Sequence, residues 1–151
     1  MTNPMPVIFA LFLALTSALA LAIPALIAEL GKAPADVPLF IDVRSFWGHR
    51  FNKREVFWIG LFIHFLMAAL FGVLYELLAL TGYVRPFFLG NMIAYATSFY
   101  ILVGVVIFPL VGLGFFGRKE GNWAWFELLI VHHFLAVFMW VLVNVFPVLR
   151  P

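Results

Sequence analysis

The chain has 151 residues, of which 66% are hydrophobic and 11% are charged, and its formal net charge is +2 at pH 7. So few polar side chains cannot cover a water-soluble fold of this length, so the composition excludes that class and predicts a membrane protein. The absence of cysteine excludes disulfides, thiolate zinc sites and iron–sulfur clusters. The small net positive charge reflects the basic loop residues that set membrane topology. We therefore expect no nucleic-acid partner.

Four apolar stretches dominate the chain. A helix needs about 20 apolar residues to cross a hydrocarbon core of roughly 30 Å. This length predicts spanning helices over residues 6–28, 57–80, 87–108 and 124–146, with a polar loop over 29–56. The sequence therefore predicts an all-α, integral membrane four-helix bundle in which residues 1–151 form a single transmembrane domain.

The first helix and the loop after it indicate the orientation. Met1–Pro6 contains no Lys or Arg, and the apolar run is longer than that of a typical signal peptide, which predicts a retained helix. Basic residues are concentrated at one end of the bundle, in the loop over 29–56 and at Arg118 and Lys119, whereas the other end has only Arg85 and Arg150. The positive-inside rule therefore predicts a cytoplasmic loop and both termini outside the cytoplasm.

The second and fourth helices carry histidines at similar depths. At about 1.5 Å per residue, His64 lies roughly 11 Å inside its helix, and His132 and His133 lie about 12–14 Å inside theirs. Both helices also contain the sequence His-Phe-Leu, at His64 and at His133, which predicts two similar helical hairpins. Facing imidazoles at this depth are candidate axial ligands of a haem b iron.

Only one of His132 and His133 can face the bundle interior, because neighbours on a helix point about 100° apart. The small residue Ala136 favours His132, whereas the His-Phe-Leu match favours His133, so both remain candidates. The alternative is that the histidines hydrogen-bond to hydroxyl or carbonyl groups of neighbouring helices. The available hydroxyls are those of Thr97, Ser98, Tyr95 and Tyr100.

Two carboxylates fall inside the predicted spans. Glu76 lies about 18 Å beyond His64, where water or Arg85 could satisfy it, and Glu127 lies in the first turn of the fourth helix, where the helix dipole favours a negative charge. Ionisable groups inside membranes are often functional, so both remain candidate site residues. In the third helix, Pro109 is expected to bend or end the helix.

Short motifs spread over most of the chain resemble one known family. The stretches Trp58–Phe65, Gly72–Tyr75, Gly112–Gly117 and Glu127–His132, with Asp36–Pro38 in the first loop, resemble the YagU-like small inner-membrane proteins of bacteria. The resemblance implies a four-helix protein of a bacterial inner membrane, from a family whose biochemical role is uncharacterised.

These observations favour a non-catalytic accessory or scaffold subunit of a larger membrane complex. Its expected partners are the lipid bilayer and either other membrane subunits or further copies of the chain, with no cofactor. The alternative is a single-haem b-type electron-transfer subunit that uses His64 with His132 or His133. A small transporter or channel formed by oligomerisation ranks third. No catalytic motif appears in the sequence, so an enzyme is not predicted.

Overall fold

The computed structural model describes residues 5–31, 45–46, 49–50 and 52–146. Two short strands, β1 (Ser45–Phe46) and β2 (His49–Arg50), pair in antiparallel fashion between the first two helices. The helical elements, in chain order, are α1 (Met5–Leu30), α2 (Lys53–Leu80), α3 (Leu89–Leu102), a π-helical turn (Val103–Ile107), α4 (Phe108–Leu110), a 3-10 turn (Phe115–Gly117) and α5 (Ala124–Val145).

Four helices are long and apolar enough to cross a membrane: Met5–Ile27, Arg54–Leu80, Leu89–Leu110 and Ala124–Val145. Their outer faces expose bulky apolar side chains, and Phe62, for example, is 67% exposed. Apolar surface on this scale is stable against lipid but not against water. The prediction of an all-α, integral membrane four-helix bundle is therefore confirmed.

The helices pack as two pairs. α1 packs most extensively against α2, and α3 against α5; α1 also packs against α5, whereas α2 and α3 touch only sparsely. This pattern gives the arrangement of two helical hairpins joined mainly through α1 and α5. It places α2 and α5, which carry the histidines, at opposite corners of the bundle.

Small residues allow α1 and α2 to approach closely. Ala10, Ala14, Ala18 and Ala22, spaced four apart along α1, are completely buried. A Cβ atom placed on Gly72 would lie 2.6 Å from both the carbonyl oxygen of Ala10 and the Cβ of Ala14. In lipid, contact of this kind replaces the hydrophobic effect as the force that holds helices together.

Local capping and backbone conformation shift two of the predicted helix starts. Asn52 accepts a hydrogen bond at 2.9 Å from the Glu55 amide, and the Glu55 carboxylate accepts one at 3.0 Å from the Asn52 amide. This capping box starts α2 at Lys53, four residues before the predicted start. The third helix starts at Leu89 and not at residue 87, because Phe87 has a positive φ of 50° that a helix cannot accommodate.

Pro109 accounts for the π-helical turn. Proline lacks an N–H group, and in a regular α-helix its ring clashes with the carbonyl four residues earlier, here that of Val105. The chain widens before the proline, and the Phe108 amide donates to the carbonyl of Val103, five residues back. The helix then ends at Leu110, so Pro109 both distorts the helix and ends it.

Candidate functional site

His132 is the histidine buried in the bundle core. It is 6% exposed and lies on the same face of α5 as the buried Ala136 and Met139. Its Nδ1 lies 2.7 Å from the carbonyl oxygen of Leu128. Because a carbonyl only accepts, the ring proton of neutral His132 resides on Nδ1, which leaves Nε2 with a free lone pair. The ring also contacts the ring of Phe99, with centroids 5.5 Å apart.

His133 links α5 to α3. Its Nδ1 donates to the carbonyl oxygen of Leu129 at 2.8 Å, so Nε2 is an acceptor in the neutral ring. The hydroxyl of Thr97 lies 3.1 Å from this Nε2 and 3.0 Å from the carbonyl oxygen of Ile93. The single hydroxyl proton can satisfy only one of these acceptors at a time. His133 is partly exposed, and its contact with Thr97 joins α5 to α3.

His64 links α2 to α1. Its Nε2 lies 3.1 Å from the carbonyl oxygen of Ala18, so this nitrogen carries the proton, in contrast to His132 and His133. His64 thus lies on α2, whereas His132 and His133 lie on α5, at the opposite corner of the bundle. Among the described residues, no group of three or more His, Cys, Asp or Glu side chains is placed to hold a metal ion.

Tyr95 and Ser98 use their hydroxyl protons on main-chain carbonyls. Tyr95 donates to the carbonyl oxygen of Phe71 at 3.0 Å, which joins α3 to α2. Ser98 donates at 3.0 Å to the carbonyl oxygen of Ala94, one turn earlier in its own helix. Both residues were available as partners for the histidines. Tyr95 instead stabilises the contact between α3 and α2, and Ser98 stabilises α3 itself.

The two carboxylates have different surroundings. Glu76 is 5% exposed, and its Oε2 has no hydrogen-bond partner among the residues that the structure describes. The guanidinium of Arg85, suggested as its partner, is exposed in the turn after α2. Glu127 is partly exposed in the first turn of α5, where the free amides of the helix start favour a negative charge.

A continuous row of aromatic rings runs through the core. Neighbouring rings lie between 4.7 Å and 6.4 Å apart, in edge-to-face or tilted arrangements. These geometries suit the quadrupoles of aromatic rings and fill the space between the helices. From one end of the row to the other, the rings are Phe9, Phe87, Tyr75, Tyr95, Phe71, Phe99, His132, Tyr100 and Phe116.

Sequence reasoning missed Tyr75 as a structural residue. Its hydroxyl donates to the carbonyl oxygen of Arg85 at 3.2 Å and accepts from the amide of Phe87 at 3.0 Å. The side chain therefore fastens the turn between α2 and α3 to the end of α2. No residue spacing could have revealed this role, because both partners are main-chain groups that any sequence carries.

The sparse contact between α2 and α3 leaves a lateral groove of about 570 Å³. Leucines of α2 form one wall, and the exposed, small residues Ala94 and Ser98 of α3 form part of the other. Thr81, Val84 and Asn91 line the end of the groove that lies near the turn between the two helices. This groove was not predicted from the sequence.

No family model, no curated protein and no solved structure matches this chain. The resemblance to YagU-like proteins therefore rests on the short motifs quoted above and stays a prediction.

Proposed function

We propose that this integral membrane protein is a non-catalytic accessory or scaffold subunit of a larger membrane complex in a bacterial inner membrane. The observation that carries the proposal is that polar side chains inside the bundle form contacts between helices. His64 and Tyr95 bond to main-chain carbonyls of neighbouring helices, and His133 contacts the hydroxyl of Thr97 on another helix. These groups hold the helices together, as polar residues do in membrane proteins, which supports a structural role.

The outer faces of the bundle offer surfaces for partner helices. On α2, five of the exposed apolar residues are spaced four apart and form a stripe that turns by about 40° around the helix at each step: Trp58, Phe62, Leu66, Leu70 and Leu74. On α5, Phe134 and Phe138 form a similar exposed pair. A face of this kind packs against another apolar helix as readily as against lipid, so it supports a role within an assembly.

Site-specific photo-crosslinking in native membranes tests this proposal. Benzoylphenylalanine is placed at Phe12, Phe62, Ile101 or Phe134, which are exposed residues on four different helices. We expect one or two of these positions to yield an adduct of constant mass with a protein partner, while the others yield lipid adducts only. Lipid adducts at all four positions, together with a lone monomer after gentle detergent extraction, would contradict the proposal.

A haem b electron-transfer subunit is the second candidate, and the hydrogen bond of His132 supports it. A metal-bound imidazole commonly donates its second N–H to a carbonyl, which fixes the ring and directs the other nitrogen to the metal. His132 has this arrangement, with Nδ1 bonded to Leu128 and Nε2 available for iron. His64 would supply the other axial ligand after leaving the carbonyl of Ala18.

The absorption spectrum of protein purified from haem-supplied cells tests this second candidate. A haem protein is expected to show a Soret band with stoichiometric iron, and His132→Ala is expected to remove both, whereas His49→Ala in β2 is expected to retain them. Wild-type protein without a Soret band would eliminate the haem candidate.

The third candidate is a small transporter or channel. The space between the helices is occupied by rings such as those of Phe71, Tyr75 and Phe99, so several copies would have to assemble to enclose a path. Flux measurements on liposomes that contain the purified protein test this candidate.

A further inference from the structure

The groove between α2 and α3 has the dimensions of one lipid leaflet. Its lining on α3 extends from Asn91 to Leu102, a distance of about 16 Å at 1.5 Å per residue. The hydrocarbon core of a bilayer is roughly 30 Å thick, so the groove covers about half of it. A spanning partner helix would run along the full thickness, whereas an acyl chain from one leaflet would end where the groove ends.

The walls of the groove suit a flexible apolar ligand. Leu74, Leu77 and Leu78 of α2 face Ala94 and other residues of α3 across it. The volume of about 570 Å³ lies within the range of small-molecule sites, which are mostly apolar with a few polar groups that fix the orientation of the ligand. In the groove, Thr81 and Asn91 lie towards the turn between the helices, whereas the hydroxyls of Tyr95 and Ser98 farther along are used on main-chain carbonyls.

A basic residue and an asparagine lie next to that end of the groove or line it. Asn91 is only partly exposed, and its side chain makes no hydrogen bond with any described residue. Arg85 directly follows Val84, which lines the groove, and the Arg85 side chain is exposed without an ion pair among the described residues. A cation next to this end of the groove, with apolar walls behind it, is complementary to an anionic headgroup with its acyl chain.

We propose that this groove binds one acyl chain of an anionic phospholipid, with the phosphate at Arg85 and an ester carbonyl at the Asn91 amide. The lipid fills the space that the sparse α2–α3 contact leaves open, and it thereby stabilises the junction between the two hairpins. This inference does not depend on the proposed function, because a subunit, a cytochrome or a lone bundle would each present the same groove.

Native mass spectrometry of the delipidated full-length protein tests the proposal. The protein is mixed in mild detergent with equal amounts of phosphatidylglycerol and phosphatidylcholine that carry acyl chains of distinguishable mass. We expect wild-type protein to retain one phosphatidylglycerol per chain, at least fivefold more often than phosphatidylcholine. Equal retention of the two lipids would overturn the proposal.

Two variants separate the acyl-chain site from the headgroup site. Ala94→Leu combined with Ser98→Leu fills the groove and is expected to reduce retained lipid at least fivefold. The matched control, Thr16→Leu with Ala20→Leu, makes a similar change on α1 outside the groove and is expected to retain lipid.

Arg85→Gln is expected to bring the ratio of phosphatidylglycerol to phosphatidylcholine close to one, whereas Arg118→Gln is expected to leave the preference unchanged. This second test keeps the proposal falsifiable even if the filled groove prevents folding. Undiminished preference in Arg85→Gln would overturn the headgroup assignment. A lipid-free wild-type dimer that Ala94→Leu/Ser98→Leu converts to monomer would show instead that the groove is an interface between copies of the chain.

Discussion

The position of a single proton distinguishes the histidines of this bundle. In His132 and His133 the carbonyl one turn earlier fixes the proton on Nδ1, whereas in His64 the carbonyl of Ala18 in another helix fixes it on Nε2. An imidazole offers one lone pair and one N–H when neutral, so each tautomer decides which nitrogen can accept a ligand. His132 therefore has the most available nitrogen, and His133 has its acceptor nitrogen beside Thr97.

The Thr97 hydroxyl gives a prediction at the scale of one residue. Thr97→Val preserves the shape of the side chain but leaves His133 Nε2 without this partner. Hydrogen bonds between membrane helices contribute about 0.5–1.5 kcal/mol, so we expect the free energy of unfolding to fall by about that amount. The measurement is SDS titration of the protein in mixed micelles.

Thr81→Val is the matched control, because the exposed Thr81 hydroxyl donates only to the carbonyl of Leu78 in its own helix. A Thr97→Val variant as stable as Thr81→Val would show that the contact with His133 contributes nothing.

At the scale of the element, close approach of backbones decides how α1 and α2 pack. Gly72 lies against the main chain of α1, whereas a Cβ atom on Gly60 would meet nothing within 4 Å. The same helix therefore contains one glycine that the interface requires and one that it does not. Gly104 in the π-helical turn is a further close contact, since the ring of Phe116 lies against it.

This difference predicts opposite effects of the same substitution on α2. Gly72→Ala forces the helices apart, and overpacking of this kind costs about 1–3 kcal/mol. Gly60→Ala is expected to be neutral or to stabilise by up to about 1 kcal/mol, because alanine favours helix more than glycine does. Unfolding titrations of the two variants check this, and equal stabilities would contradict the assigned α1–α2 interface.

At the scale of the whole molecule, the two ends of the bundle differ in charge. Arg118 and Lys119 lie together at one end, and Arg85 lies in the turn at the other. The positive-inside rule predicts that the Arg118 end faces the cytoplasm, because basic loops are retained on that side during insertion. Orientation is thus a property of the distribution of charge between loops and not of any single helix.

The orientation is testable because the chain has no cysteine. Single-cysteine variants are made at Tyr83, which is 86% exposed in the turn after α2, and at the exposed Gly121 before α5. In intact cells, a membrane-impermeant maleimide is expected to label Tyr83→Cys but to label Gly121→Cys only after permeabilisation. The reverse pattern would contradict the predicted topology.

Composition and apolar length determined the class of the protein, the number of spanning helices and most of their limits. Hydrocarbon imposes a minimum length on any helix that crosses it, and that requirement is visible in one dimension. The start of α2 was also encoded in the sequence, in the capping residues Asn52 and Glu55. The prediction placed it at residue 57 because the apolar stretch begins there. The polar loop predicted over residues 29–56 falls largely outside the described residues.

Only the tertiary structure decided which helices are neighbours, which carbonyl each histidine contacts and where the α2–α3 groove opens. Main-chain acceptors occur at every residue, so spacing could not indicate that His64 bonds to Ala18 or that Tyr75 fastens the turn before α3. The groove arises because α2 and α3 pack sparsely against each other, and the sequence of neither helix indicates this. Length and polarity are properties of a segment, whereas contacts and grooves are properties of a pair of segments.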